Sequence, residues 1–147
     1  MTYDIALPSE VRRALLVEHA RIARLLAELE DLADRVRMGD DTGGRFDTVA
    51  HQLRRMLVDH NQAEEAALEP LLRVVDSWGP VRVEEMLLEH RREHAELSMA
   101  LTRPTGELAD KIPRVAADLR AHMAREERSF LSSEVLRDDI VTSGPTS

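Results

Sequence analysis

Val49-Ala50-His51-Gln52-Leu53-Arg54-Arg55-Met56-Leu57-Val58-Asp59-His60-Asn61-Gln62-Ala63-Glu64 is the stretch whose reading decides the fold. Val49, Leu53, Met56, His60 and Glu64 recur at spacings of three and four, the repeat that lines one face of an α-helix. The stripe reaches back to Phe46 and on to Ala67 and Leu71. A histidine and a glutamate therefore stand where apolar residues should meet a core. His51 falls about 200° from both Val49 and Leu53 and belongs on the solvated face.

Three further stripes flank this one. Leu15, His19, Ile22, Leu26, Leu29, Ala33 and Val36 form the first, after Pro8 with Ser9 as the expected N-cap, and it ends at Met38 before Gly39. Val83, Leu87, His90, His94, Leu97 and Leu101 form the third, and Leu108, Ile112, Val115, Leu119, His122, Glu126 and Phe130 the fourth. Gly39-Asp40-Asp41-Thr42-Gly43-Gly44, Ser77-Trp78-Gly79-Pro80 and Pro104-Thr105-Gly106 read as the turns between them. Pro70 and Pro113 are each expected to kink or restart a helix, because proline has no backbone donor. The expected fold class is all-α, an up-down-up-down four-helix bundle over residues 1–131. Residues 132–147 should add a short helix from Ser132 to Ile140 and a frayed tail from Val141 to Ser147.

The two halves of the chain repeat one another. Leu15-Leu16-Val17-Glu18-His19 parallels Met86-Leu87-Leu88-Glu89-His90, and Asp59-His60 with Glu64-Glu65 parallels Ala121-His122 with Glu126-Glu127. A duplicated helix pair should set the inward polar residues of one half against those of the other across a pseudo-twofold axis.

Composition bounds the rest. At 147 residues the chain has room for one domain. A formal charge of -8 with no basic stripe argues against nucleic acid or an anionic membrane as partner. Cysteine is absent, so disulfides and thiolate sites are excluded and any metal must be held by nitrogen and oxygen. A reducing cytoplasm fits, and neither an export leader nor an apolar run long enough to span a membrane is seen. A monomer or weak homo-oligomer is expected.

Burying a neutral histidine alone costs a few kcal/mol, and an unpaired carboxylate costs more, on the order of several kcal/mol. Metal ions resolve that conflict by turning each group into a ligand. Residues i and i+4 lie about 40° and about 6 Å apart on a helix. His60 with Glu64, His90 with His94, and His122 with Glu126 thus offer two donors each on one face, and His19 completes a set drawn from all four helices. Five imidazoles and two carboxylates suit a borderline first-row ion rather than calcium or magnesium. The donors are too many for one tetrahedral zinc and suit two ions sharing Glu64 and Glu126. Iron is the expected metal, ahead of manganese and zinc. The mate of His94 is Ala23, so the ion served by His19 and His60 should be one ligand short and open to a small molecule. Glu65 and Glu127 lie about 100° off the ligand face and read as surface residues, with acceptance of an imidazole N–H as the alternative. Met56, Met86, Met99 and Met123 read as core filling. No Glu-x-x-His pair of the ferritin-like type occurs.

The lone His19, His60-Asn61-Gln62-Ala63-Glu64, His90-Arg91-Arg92-Glu93-His94 and His122-Met123-Ala124-Arg125-Glu126 together resemble the pattern of the hemerythrin and HHE cation-binding family, over roughly residues 10 to 131. Glu64-Glu65-Ala66-Ala67-Leu68-Glu69-Pro70 also resembles that family's second helix. The resemblance implies two irons: His90, His94 and His122 on one, His19 and His60 on the other, with Glu64, Glu126 and an oxo or hydroxo group as bridges and O2 bound end-on at the open iron. It also places Leu119 where the family's oxygen carriers have a leucine guarding the pocket. The last ligand, a glutamate four residues on, resembles that of bacterial members rather than the aspartate five residues on of invertebrate carriers. Three functions follow as expectations: O2 binding for carriage, storage or sensing; redox catalysis on peroxide or nitric oxide; and iron sensing or storage.

Overall fold

The computed structural model describes residues 6–139, and the expected tail from Val141 to Ser147 lies outside them. Four helices follow in order: α1 Pro8–Arg37, α2 Arg45–Val75, α3 Gly79–Leu101 and α4 Thr105–Arg128. No strand occurs among the described residues. The class is all-α, and α1 packs on both α2 and α4 while α2 also packs on α3. α3 and α4 approach each other much less closely. No helix among the described residues is long and apolar enough to cross a membrane.

The apolar stripes close into two separate cores. One holds Ile22, Leu26, Phe46, Leu53, Ile112 and Leu119, among others. The second holds Leu15, Leu68, Leu72, Val83, Met86, Phe130, Leu131 and Leu136. Apart from Pro8 and Gly79, the buried residues that belong to neither are polar: His19, His60, Asn61, Glu64, His90, His122 and Glu126. Along α1, α2 and α3 these polar positions fall between the residues of one core and those of the other, and on α4 they precede Phe130 and Leu131 of the second core just past the helix end.

Local chemistry departs from expectation at four places. Leu7, not Ser9, caps α1, and the Glu10 carboxylate accepts the Leu7 N–H at 3.0 Å. Ser9 is drawn away by Asp138, whose carboxylate accepts its backbone N–H at 2.9 Å and its hydroxyl at 2.8 Å. α2 and α4 run through Pro70 and Pro113 without a break. A proline inside a helix costs roughly 3 kcal/mol, but burial of Leu68, Leu71 and Leu72 beside the first, and of Ala109, Ile112 and Ala116 beside the second, outweighs it. Both prolines are exposed, so neither ring disturbs a core.

The segment after α4 is the third departure: it forms turns rather than the expected helix from Ser132. The Leu131 N–H donates to the Glu126 carbonyl at 2.9 Å, which turns the chain back and buries Phe130, Leu131 and Leu136 at the end of the bundle. Met99 is the fourth, 65% exposed rather than in the core, whereas Met86 and Met123 are buried. His51 is exposed, as its angle on the helix required.

One glycine is fixed by close approach. A Cβ on Gly79 would lie 1.8 Å from the Leu72 carbonyl oxygen, so only glycine lets α3 start directly against α2.

With the segment after α4 part of the second core, Leu136→Ala should cost about 2–5 kcal/mol, the usual range for truncating a buried leucine. Urea denaturation of the full chain measures it. A change under about 0.5 kcal/mol, the level of a neutral surface substitution, would show that segment to be detached.

Candidate metal centre

The four helices deliver His19 from α1, His60 and Glu64 from α2, His90 from α3, and His122 and Glu126 from α4. Each lies on its helix's inward stripe, and Glu64 and Glu126 are 0% and 1% exposed. The imidazoles face one another in two pairs. His19 and His60 have ring centroids 4.8 Å apart, His90 and His122 5.9 Å apart, and both pairs meet edge-on at 61°.

The Nε2 atoms converge on the two carboxylates. Glu64 Oε2 lies 2.8 Å from His60 Nε2, and Glu64 Oε1 lies 3.0 Å from His90 Nε2. Glu126 Oε1 lies 2.5 Å from His122 Nε2 and 3.8 Å from His19 Nε2. Each carboxylate thus reaches toward an imidazole of its own helix pair and one of the other. The halves match: His19 answers to His90, His60 to His122 and Glu64 to Glu126.

Outside this ring, every Nδ1 meets a second carboxylate. Glu127 lies 3.1 Å from His19 Nδ1, Glu18 2.7 Å from His60 Nδ1, and Glu65 2.8 Å from His90 Nδ1. Glu89 and Glu93 lie 3.2 and 2.9 Å from His122 Nδ1. A carboxylate at Nδ1 holds the proton there and leaves Nε2 as a lone pair aimed inward, the tautomer a metal needs. Glu65 and Glu127 thus stand at the surface, Glu127 exposed and Glu65 half-buried, and also accept an imidazole N–H, the alternative the sequence offered.

Glu18, Glu89 and Glu93 are functional neighbours that helical periodicity alone does not flag, since they sit off the inward stripes. The duplication carried the signal for two of them. Glu18-His19 and Glu89-His90 repeat as a unit, and each glutamate serves the histidine of the next helix.

His94 is not part of the cluster. It lies exposed on α3, and the structure does not bring it beside His90 and His122, where the sequence expectation set it. The rotation of α3 is set by Met86, His90 and Leu97, all buried, and by Glu93, which turns toward His122. With Glu93 on that edge, His94 on the next position is carried out to solvent. Leu119 is buried and borders the cleft between α3 and α4 beside His122.

Without a cation the centre is electrostatically unsettled. His19 Nε2 and His60 Nε2 lie 3.1 Å apart, a contact that is favourable only with a proton or a cation between them. Glu64 Oε2, His122 Nε2 and both oxygens of Glu126 are buried and carry no well-formed hydrogen bond. Burial opposes charge on Glu64, yet the donors around it, Glu126 first and then His19, His60 and His90, hold it well below the usual carboxylate range. Burial, reinforced by Glu64 alongside, pushes Glu126 far up. Burial also opposes charge on His122, but Glu126 and Glu93 more than offset it and raise it from 6.5 to about 10. His60 and His90 are raised as well, with Glu64 overcoming their burial. The raised groups, Glu126, His122, His60 and His90, each recruit a proton, while Glu64 stays ionised among them.

The donor atoms fall into two groups that could each hold an ion: His19, His60, Glu64 and Glu126, and His90, His122 and Glu126, with the donor atoms of a group within 4.8 Å of one another. Glu126 is common to both. Imidazole and carboxylate donors, tautomers fixed from outside and uncompensated buried lone pairs all fit first-row cations. A family model described as Hemerythrin HHE cation binding domain matches residues 11–132. No curated protein and no solved structure matches the chain.

Three outcomes follow from this geometry. Removing an outer carboxylate, as in Glu18→Ala or Glu127→Ala, should weaken cation affinity about 10–100-fold while leaving the helical signal intact. Competition with a chelating dye measures this, and an unchanged affinity in both variants would refute the role of the outer ring. A cation must also displace the protons that the raised groups hold at neutral pH, so binding should release protons and tighten from about pH 6 to about pH 8. The same sign makes the cation-free fold lose stability as pH rises from 6.5 toward about 10, through the titration of His122. Calorimetry in buffers of different ionisation enthalpy, with thermal melts in chelator, tests both.

Proposed function

We propose, given that this chain belongs to the hemerythrin HHE cation-binding family, that it is a non-haem di-iron protein that binds O2 at its buried centre. The observation that carries the reading is Glu126, a single buried carboxylate shared by two converging donor groups. His19 and His60 would hold one cation and His90 and His122 the other, with Glu64 and Glu126 spanning the pair. A bridging oxo or hydroxo group would complete the centre.

Four imidazoles and two carboxylates favour iron or a neighbouring first-row ion, and the histidine-rich set tempers its oxidising power. When bound, the iron pair would supply the electrons that a small oxygen ligand takes up. The chain's own part is to hold and shield. The outer glutamates fix the imidazole tautomers, and the two apolar cores above and below the polar layer keep bulk water from it. Six donors are fewer than two six-coordinate ions require, which leaves positions for a bridge and for the ligand. Leu119, buried beside His122, would border that ligand's space.

A second reading, redox turnover of peroxide or nitric oxide, is favoured by the exposure of His94. Without it neither donor group holds three imidazoles, so both cations would keep room for a reactant.

Metal analysis with optical spectra under air, argon and peroxide tests the proposal. The expected result is two irons per chain, near-ultraviolet bands of a bridged pair, and an oxygenated spectrum that reverses on degassing. His60→Ala and Glu64→Ala should abolish the bands. A metal-free protein with undiminished thermal stability would sink the reading. Steady O2 evolution from peroxide would replace it with the second.

A further inference from the structure

Two clefts reach the buried centre, and they are mates under the internal duplication. One opens between α1 and α2 at His60, bordered by Glu18, Arg21, Leu25, Met56 and Asp59. The other opens between α3 and α4 at His122, bordered by Glu89, Arg92, Glu93, Glu96 and Asp118. The register that pairs His19 with His90 also pairs Glu18 with Glu89, Arg21 with Arg92, and Leu25 with Glu96. The register that pairs His60 with His122 also pairs Met56 with Asp118. The molecule therefore contains its own control, with the same position in the fold lined by different chemistry.

The difference is one of charge. At the α3–α4 cleft, Glu96 and Asp118 stand where the α1–α2 cleft has Leu25 and Met56, and Glu93 stands where α1 has the fully buried Ile22. Four acids line this cleft, Glu89, Glu93, Glu96 and Asp118, against two bases, Arg92 and Arg125. The α1–α2 cleft is balanced, with Glu18 and Asp59 against Arg21 and Arg55. At the floor of the acidic cleft lies His122, 5% exposed, which turns Nδ1 to the cleft acids Glu89 and Glu93 and its unpartnered Nε2 to the centre beyond. Glu93 Oε2, in the cleft wall, is likewise buried without a partner. This is also the side on which two helices pack least closely, so a passing ion disturbs the least structure.

The geometry points to the α3–α4 cleft as the port through which divalent cations load the centre, with Glu96 and Asp118 gathering them at the mouth and Glu93 relaying them to His122. Oxygen donors at the mouth exchange hydrated ions readily, and the nitrogen-rich interior then retains them. The mouth residues act within roughly one Debye length, about 10 Å at 0.1 M salt, so their effect belongs to the rate of uptake rather than to final affinity. The inference rests on the reading that the core takes cations, and its test separates the two.

Cobalt(II) is mixed with the chelator-stripped full chain in a stopped-flow instrument, and the growth of its visible absorption is followed. Glu96→Leu/Asp118→Met, which installs the residues of the mated cleft, should slow uptake about ten-fold at low salt. The difference should shrink toward nothing above about 0.5 M salt. Glu96→Gln/Asp118→Asn, which keeps shape, should slow uptake likewise. Both variants should reach the cobalt stoichiometry and helical signal of the unaltered chain. Glu84→Gln/Glu85→Gln, exposed on α3 and outside both clefts, should leave the rate unchanged. Equal slowing in that control, or full-speed uptake in the cleft variants, overturns the port while leaving the cation centre standing. Failure of the unaltered chain to take up cobalt overturns both.

Discussion

Two carboxylates side by side in the middle of a helical bundle are the constraint around which everything else is arranged. Glu64 and Glu126 are almost fully buried, and among the described residues their ion-pair partners are histidines, with no lysine or arginine in reach. Two adjacent ionised acids there would be untenable. In the cation-free chain protons supply the missing charge: Glu126 is driven to hold one, His122 another, and Glu64 remains ionised among donors. The site is built for positive charge and accepts hydrogen ions in the absence of anything better. That explains why the helices can tolerate a polar layer between two apolar cores.

Orientation follows from the next ring outward. An imidazole offered to a cation must present a bare nitrogen, and it does so only if its proton is kept on the other side. Here each of the four buried histidines meets a glutamate at Nδ1 that comes from a different helix. α1 supplies the partner for α2, α2 for α3, α3 for α4, and α4 for α1. The closure of that cycle ties the helices to one another through the site itself, so the bundle's register and the centre's protonation pattern are one design.

The sequence made the fold legible because each inward stripe is long and regular, and the duplication made the pairing of its polar residues legible too. His51, off the stripe by angle, is exposed. What periodicity could not resolve is a choice between neighbours. His94 and Glu93 are adjacent, both lie near the edge of the α3 stripe, and spacing from His90 favours His94. The contact of Glu93 with His122, which belongs to another helix, settles the rotation the other way. Ser9 failed as a cap for the same kind of reason, because its partner Asp138 is remote in sequence. Pro70 and Pro113 were overruled by the leucines, alanines and isoleucine buried beside them. In each case a local preference of a few kcal/mol met a tertiary interaction that no window of sequence contains.

The duplicated architecture shows where function could diverge without endangering the centre. The inner donors and the orienting acids Glu18 and Glu89, and Glu65 and Glu127, are kept in both halves, since losing any one would strand a buried charge or a misdirected proton. Positions one or two turns away are free to differ, and it is there that Leu25 corresponds to Glu96, Met56 to Asp118 and Ile22 to Glu93. These exchanges put acid on the looser side of the bundle and apolar residues on the tighter side. A symmetric core approached through asymmetric walls lets one helix pair carry the traffic of ions while the other keeps its packing.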